Sequence, residues 1–174
     1  MIARKEVSRP SFTSLIIDRN EIRATLGMII SNKLDFVALG FVGKTPGRRI
    51  LVCEAGYKDP LLKAPGGRPE IDGDTTENPL DTVSREISEE TGVITYYPEI
   101  GNIFLIQKVR NREGKYYYMI AFELKYFSGD LKKGAEVAEL KEFGRKDIYS
   151  IINSKKMVPL HVPIWKYYLK NCWE

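Results

Sequence analysis

Three glutamates fall within a single helical turn of the segment Arg85-Glu86-Ile87-Ser88-Glu89-Glu90-Thr91-Gly92-Val93. At about 100° per residue, Glu89 and Glu90 lie roughly 60° and 40° to either side of Glu86. A free helix resists this arrangement. Like charges at i,i+4 cost about 0.2–0.5 kcal/mol, and acids near a helix C-terminus oppose the macrodipole by about 0.3–1 kcal/mol each. A divalent cation would turn the repulsion into a site. Converging hard oxygens suit Mg²⁺, which keeps several waters and bridges protein carboxylates to substrate phosphates. The competing interpretation of a bare E-x-x-E-E is a solvated acidic face, because short motifs carry weak specificity.

The neighbours of the segment favour the site. Pro65-Gly66-Gly67 lies upstream, then Glu77, with seven residues between Glu77 and Arg85; Gly92 and Val93 close the run. This resembles the Nudix box, G-x5-E-x7-R-E-U-x-E-E-x-G-U, with U aliphatic, and the match from Glu77 to Val93 is complete. Nine residues separate Gly67 from Glu77 where the pattern has five. The extra four fall in a stretch rich in Gly, Pro, Asp and Thr, a loop by composition. Loop closure grows slowly with length, so the insertion is tolerable. It also permits a rival alignment in which Asp74, after Gly73, takes the place of Glu77.

The resemblance implies a Nudix hydrolase that cleaves a nucleoside diphosphate linked to another moiety, with Mg²⁺ or Mn²⁺. Carried over by position, Glu86 and Glu90 are metal ligands, Glu89 is a third ligand or the general base, and the Gly67 carbonyl supplies a backbone oxygen. Glu77 and Arg85 hold the loop and a glutamate in place; the alternative for Arg85 is a surface pair with Asp81 or Glu89. Glu136, in Gly134-Ala135-Glu136-Val137, resembles the loop glutamate that precedes the last core strand of the family and reaches the metals or acts as base. Its alternative is a solvated loop acid.

Other candidates rest on residue type. Arg68 follows the double glycine, and Arg48 and Arg49 flank another loop; any of them can meet a phosphate, although surface basic residues are common. Tyr96, Tyr97 and Tyr116 to Tyr118 could stack on a base, yet alternating tyrosines are commoner as sheet surface or core. His161, the only histidine, reads as structural.

The elements that must position these groups are legible in outline. Residues 24–31 and 36–42 read as strands around an Asn32-Lys33 turn, and 49–54 as a third strand. The helix after the loop has Asn78 as N-cap, Pro79 at N1, Asp81 in the first turn and Gly92 just past its end. Leu80, Val83 and Ile87 form an apolar stripe beside the acidic one. Residues 103–109 and 116–125 read as a hairpin, 138–143 as a strand, 147–153 as a helix, and a last helix starts near 163. Strands interrupted by a few helices indicate an α+β chain with a mixed sheet and helices on its faces. The resemblance implies the same, a Nudix-type α/β/α sandwich with a central mixed β-sheet. Residues 1–20 read as a tail, an added strand or a dimer arm, and 21–174 as a single domain.

Composition bounds the partners. With 174 residues, 43% hydrophobic and 29% charged, the chain fits one ordinary globular domain. A net charge of +4 suits an anionic substrate, and the resemblance implies a small molecule of nucleotide type. The charge is too weak to indicate DNA, and an RNA 5′ end would require steeply salt-dependent binding. Cys53 and Cys172 lack metal-ligand spacing and read as reduced thiols in a cytoplasmic protein. No apolar run approaches the roughly 18 residues of a membrane span. The segment Gln107-Lys108-Val109-Arg110-Asn111 lacks the proline that tends to mark ADP-ribose hydrolases and the tyrosine of diadenosine polyphosphate hydrolases. The reading from another class is a catalytically silent Nudix-fold module that binds a nucleotide; it tends to lose box glutamates, and here all are present.

Overall fold

The computed structural model describes residues 11–173. In chain order come β1 (Ser11–Ile16), α1 (Arg19–Ser31), β2 (Phe36–Phe41), β3 (Arg48–Glu54), β4 (Leu62–Lys63) and β5 (Gly66–Gly67). The short strands β6 (Ile71–Asp72) and β7 (Thr75–Thr76) precede α2 (Pro79–Thr91) and β8 (Ile94–Thr95). Then follow β9 (Ile103–Arg110), β10 (Tyr116–Glu123), β11 (Tyr126–Ser128), β12 (Val137–Gly144), α3 (Arg145–Asn153) and α4 (Val162–Asn171).

The central sheet has the order β1-β9-β10-β2-β5. Its β10–β2 pair is parallel and its other pairs are antiparallel. A second, antiparallel sheet runs β12-β3-β4. Both faces of the central sheet are covered, as a parallel pair requires. On one face Tyr118, Ile120 and Phe122 pack with Ile22, Leu26 and Ile29 of α1 and Val83 and Ile87 of α2. On the other, Leu39, Phe41, Met119 and Ala121 pack with Ile148 and Ile152 of α3 and Ile164, Trp165 and Tyr168 of α4. The architecture is therefore the expected α/β/α sandwich with a mixed sheet.

Residues 24–31 differ from the expected strand: they belong to α1. Leu26-Gly27-Met28-Ile29-Ile30 is a short apolar run of the kind that fits either period. The cap decides it. The Asp18 carboxylate accepts from the N–H groups of Asn20 and Glu21, both at 3.0 Å, which satisfies two of the free donors of a helix start. Ile22, Leu26 and Ile29 are buried at helical spacing, while Met28 and Ile30 are left exposed. In the N-terminal segment, Ser11–Ile16 pairs with β9 as an added edge strand, and residues 1–10 lie outside the described residues.

Helix α2 starts and stops as its sequence indicates. The Asn78 side chain accepts from Asp81 N–H at 2.9 Å, and Gly92 closes the helix at φ +74°. The core sets its rotation. A side chain at Gly40 of β2 would collide with the Ile87 side chain, so the glycine lets α2 lie close on the sheet. With Val83 and Ile87 turned inward, the acidic stripe must face the β5 edge. Among the described residues no helix is long and apolar enough to cross a membrane, and both cysteines are free thiols.

His161 is buried, with Nδ1 lacking a hydrogen-bond partner. Burial, helped by the Lys63 ammonium, pushes its pKa down to about 3. The unfolded chain takes up the proton near the ordinary value of about 6.5, so stability is lost as the pH falls below that point. The expected loss from this group steepens to about 1.4 kcal/mol per pH unit and persists to the folded-state value. Urea titrations of the wild type and His161→Leu between pH 7.5 and 4 check this. The wild-type curve should fall more steeply; parallel curves would remove His161 as the cause.

Candidate metal centre

The centre is organised by one guanidinium. Arg85 donates through Nε to Glu77 Oε2 and through Nη2 to Glu77 Oε1, both at 3.0 Å. Nη2 also donates to the Arg68 carbonyl at 3.0 Å. Nη1 donates to Glu86 Oε1 and Glu89 Oε2, again at 3.0 Å each. Arg85 is therefore a loop-to-helix clamp, not a simple surface pair. Of its two alternative partners, Glu89 is engaged in addition, while Asp81 pairs with Asn78 and Tyr97. Burial works to raise the Glu77 carboxyl, but hydrogen bonds from Arg85, Thr82 and the Glu70 backbone outweigh it and hold the group below its ordinary range.

The extra four residues take the form of a hairpin. Ile71 pairs with Thr76 and Asp72 with Thr75, with Gly73 at φ +58° in the turn. Glu77 N–H donates to Glu70 O at 2.9 Å, which zips the base of the hairpin. The insertion thus loops out and returns the chain to Glu77, the residue gripped by Arg85. Asp74 sits at the hairpin tip, where its carbonyl accepts from Lys33 Nζ at 2.5 Å, so it does not take the Glu77 position of the rival alignment.

Glu86 and Glu90 lie side by side against β5. A Cβ on Gly67 would sit 2.5 Å from Glu86 Oε1, so only glycine leaves that carboxylate its place. Glu90 Oε1 accepts from Gly66 N–H at 3.2 Å, whereas Oε2 is buried with no partner. Burial pushes Glu90 up to about 8; the Lys63 ammonium opposes the rise and the neighbouring Glu86 carboxylate adds to it. A buried carboxylate oxygen without a partner is costly, and a cation would satisfy it. The donors are all hard oxygens, which fits Mg²⁺ or Mn²⁺. Among the described residues no three acidic, histidine or cysteine groups form a ready metal cage. The reason is visible: Glu89 is drawn aside to Arg85 Nη1 and leaves a two-carboxylate centre.

The remaining candidates divide. The loop that carries Glu136 docks on the end of α2, with Gly134 N–H on Glu90 O at 3.3 Å and Lys132 N–H on Thr91 O at 2.9 Å. The Glu136 carbonyl accepts from Ala55 N–H at 2.8 Å, and its side chain is exposed. Arg68 is exposed and lines a cleft of about 610 Å³. Arg49 is not brought to the carboxylates. Its guanidinium lies 4.7 Å from the Trp173 ring centre, donates to Tyr168 OH at 2.7 Å, and lines a different cleft with Phe104 and Glu123. The aromatic end of α4 explains that position. Of the tyrosines, Tyr118 is buried in the core, Tyr97 donates to Asp81, and Tyr117 is half-buried and lines the Arg68 cleft. Lys63 is a site neighbour the motif does not flag. Its side chain is only 15% exposed and pairs with Glu54, and no spacing rule distinguishes it from other lysines.

No family model and no curated protein sequence matches the chain. Solved structures do. A Nudix hydrolase from Nitrosomonas europaea aligns at TM-score 0.61 and 20% identity, over 78% of this chain and 88% of that one. The MutT protein of Methanosarcina mazei Go1 aligns at TM-score 0.60 and 18% identity, over 78% and 92%. A bifunctional NMN adenylyltransferase/ADP ribose pyrophosphatase from Francisella tularensis, complexed with AMP and a Mn ion, aligns at TM-score 0.55 and 15% identity, over 88% of this chain and 47% of that one. The chain has the fold of the Nudix hydrolases.

The two glycines of β5 make opposite predictions. A side chain on Gly66 would strike the Ala38 carbonyl and Leu39 backbone, so Gly66→Ala should destabilise the fold by about 1–3 kcal/mol, the usual cost of overpacking. A side chain on Gly67 meets the movable end of Glu86. Gly67→Ala should therefore unfold near the wild-type temperature but weaken Mn²⁺ binding. Thermal unfolding with metal titration reads both; equal effects from the two variants would contradict the geometry.

Proposed function

We propose that the chain hydrolyses the pyrophosphate bond of a nucleoside diphosphate linked to another moiety, with Mg²⁺ or Mn²⁺ held by Glu86 and Glu90. The observation that carries this reading is the unpartnered, buried Glu90 Oε2 beside Glu86 over Gly67. The fold shared with solved Nudix hydrolases supports it, as does the Mn ion in the Francisella tularensis protein.

A pyrophosphate repels an approaching hydroxide. A divalent cation, when bound, neutralises phosphate charge and lowers the pKa of a water. The protein's own groups do the rest. Glu86 and Glu90 fix where the phosphates lie. Arg85 holds Glu86, Glu89 and the Arg68 carbonyl in one arrangement, which makes it a positioning residue. Glu89 and Glu136 are the candidates to take the proton from water, because both side chains are exposed while Glu90 is enclosed, and the loop that carries Glu136 docks on the end of α2. Arg68 is placed to meet a phosphate at the cleft mouth.

The test is hydrolysis with Mg²⁺ across nucleoside triphosphates, ADP-ribose, nucleotide sugars, dinucleoside polyphosphates and 5′-triphosphate RNA, with product analysis. One class should be cleaved. Glu90→Gln should lower the rate by more than the about 10–100-fold that loss of a ligand's outer partner causes. Glu136→Gln should lower turnover at least about 100-fold if it is the base, the low end for general catalysis; an unaffected rate removes Glu136 from the mechanism. Nucleotide binding without cleavage of any class would replace the hydrolase by a binding module.

A further inference from the structure

The inserted hairpin has a consequence for specificity. Ile71 and Thr76 of the hairpin line one side of the 610 Å³ cleft; the α1–β2 turn and the β9–β10 turn form the others. The cleft is lined by Arg68, whose carbonyl is held by the same Arg85 guanidinium that bonds Glu86, so one side chain links it to the carboxylate centre. Its volume lies within the range of small-molecule sites, roughly 300–1,000 Å³.

Both ends of the hairpin are fixed. At its base, Glu77 is gripped by Arg85 and bonded to Glu70. At its tip, Lys33 reaches across to the Asp74 carbonyl. Lys33 does so from a left-handed backbone conformation, φ +50°, which a lysine adopts only against a steric cost. The hairpin is thus tied down at its base and at its tip.

The lining chemistry selects among ligands. Phe36, Val37 and the half-buried Tyr117 supply apolar and aromatic surface. Ile71, 69% exposed on an otherwise polar hairpin, adds an apolar side chain that the core does not use. The rim charges nearly cancel, with Lys33, Arg68 and Arg112 against Asp35 and Glu113. A second, densely charged phosphate group would find little net attraction there. A flat, uncharged ring would find apolar walls and stacking surface.

The geometry points to the inserted hairpin as a specificity wall: with Tyr117 it encloses the nucleobase of the substrate, while the pyrophosphate lies toward Gly67 and Arg68. This rests on the pyrophosphohydrolase reading for the orientation of the substrate, and only for that.

The test separates the two. Binding of ADP, GDP, CDP, UDP and inorganic pyrophosphate to the full-length protein in Mg²⁺ is measured by calorimetry. The proteins compared are the wild type, Ile71→Asp, and a deletion of residues 72–75 that restores five residues between Gly67 and Glu77. Ile71 is exposed, so Ile71→Asp should unfold at the wild-type temperature even if the deletion does not fold. Ile71→Asp should weaken the best-bound nucleoside diphosphate about tenfold, as expected when an apolar contact is replaced by a charge. Pyrophosphate should change less than twofold. Equal losses for both ligands, no loss for either, or no nucleoside diphosphate bound by the wild type would overturn the inference. Selective loss in a protein that hydrolyses nothing would uphold the wall and remove the hydrolase reading.

Discussion

The Arg85 guanidinium is the contact on which the other features of this centre depend. It bonds the carboxylates of Glu77, Glu86 and Glu89 and the carbonyl of Arg68. Those groups come from the loop before α2 and from α2 itself, so one planar cation joins two stretches of chain that would otherwise repel. Hydrogen bonds to charged groups contribute about 1.5–3 kcal/mol each when enclosed, and the guanidinium fork suits bidentate carboxylate contact. A lysine could offer the charge but not the simultaneous directions.

The clamp leaves one carboxyl group beyond its reach. Arg85 reaches Glu86 and Glu89 but not Glu90, whose inner oxygen stays buried and unpaired. Packing keeps it there. Ile87 lies against β2 where Gly40 makes room, and Val83 shares the same core, so α2 cannot rotate to expose Glu90. The fold thus holds a carboxylate in a position it would not choose by itself. Strain of this kind between local preference and global packing is characteristic of functional sites.

Much of this was legible in the sequence because it is local. Asn78, Pro79 and Gly92 mark the ends of α2 by chemistry that acts within four residues. The hairpin of β9 and β10 follows from alternation and a turn. Glu86 and Glu90 share a face through their i,i+4 spacing, whereas Gly67 beside Glu86 was an expectation of the resemblance that the longer loop left open. What the sequence hid is set by distant partners. The identity of α1 was ambiguous because its apolar run fits both periods, and Asp18 and the sheet decide it. The position of Arg49 depends on Tyr168 and Trp173, more than a hundred residues away. Lys63 becomes a neighbour of Glu90 only once β4 joins β3 and β5 meets α2. The separation of Glu89 from Glu90, by contrast, follows from the i,i+4 pairing of Glu89 with Arg85, which the spacing did offer.

The central claim is that Glu86 and Glu90 over Gly67 form a divalent-cation site. Its most direct test is electron paramagnetic resonance of Mn²⁺ titrated into nucleotide-free protein, wild type against Glu90→Gln, with Mg²⁺ as competitor. The account predicts a bound Mn²⁺ population in the wild type that Mg²⁺ displaces and that the variant lacks. A variant that binds Mn²⁺ as tightly as the wild type would contradict it.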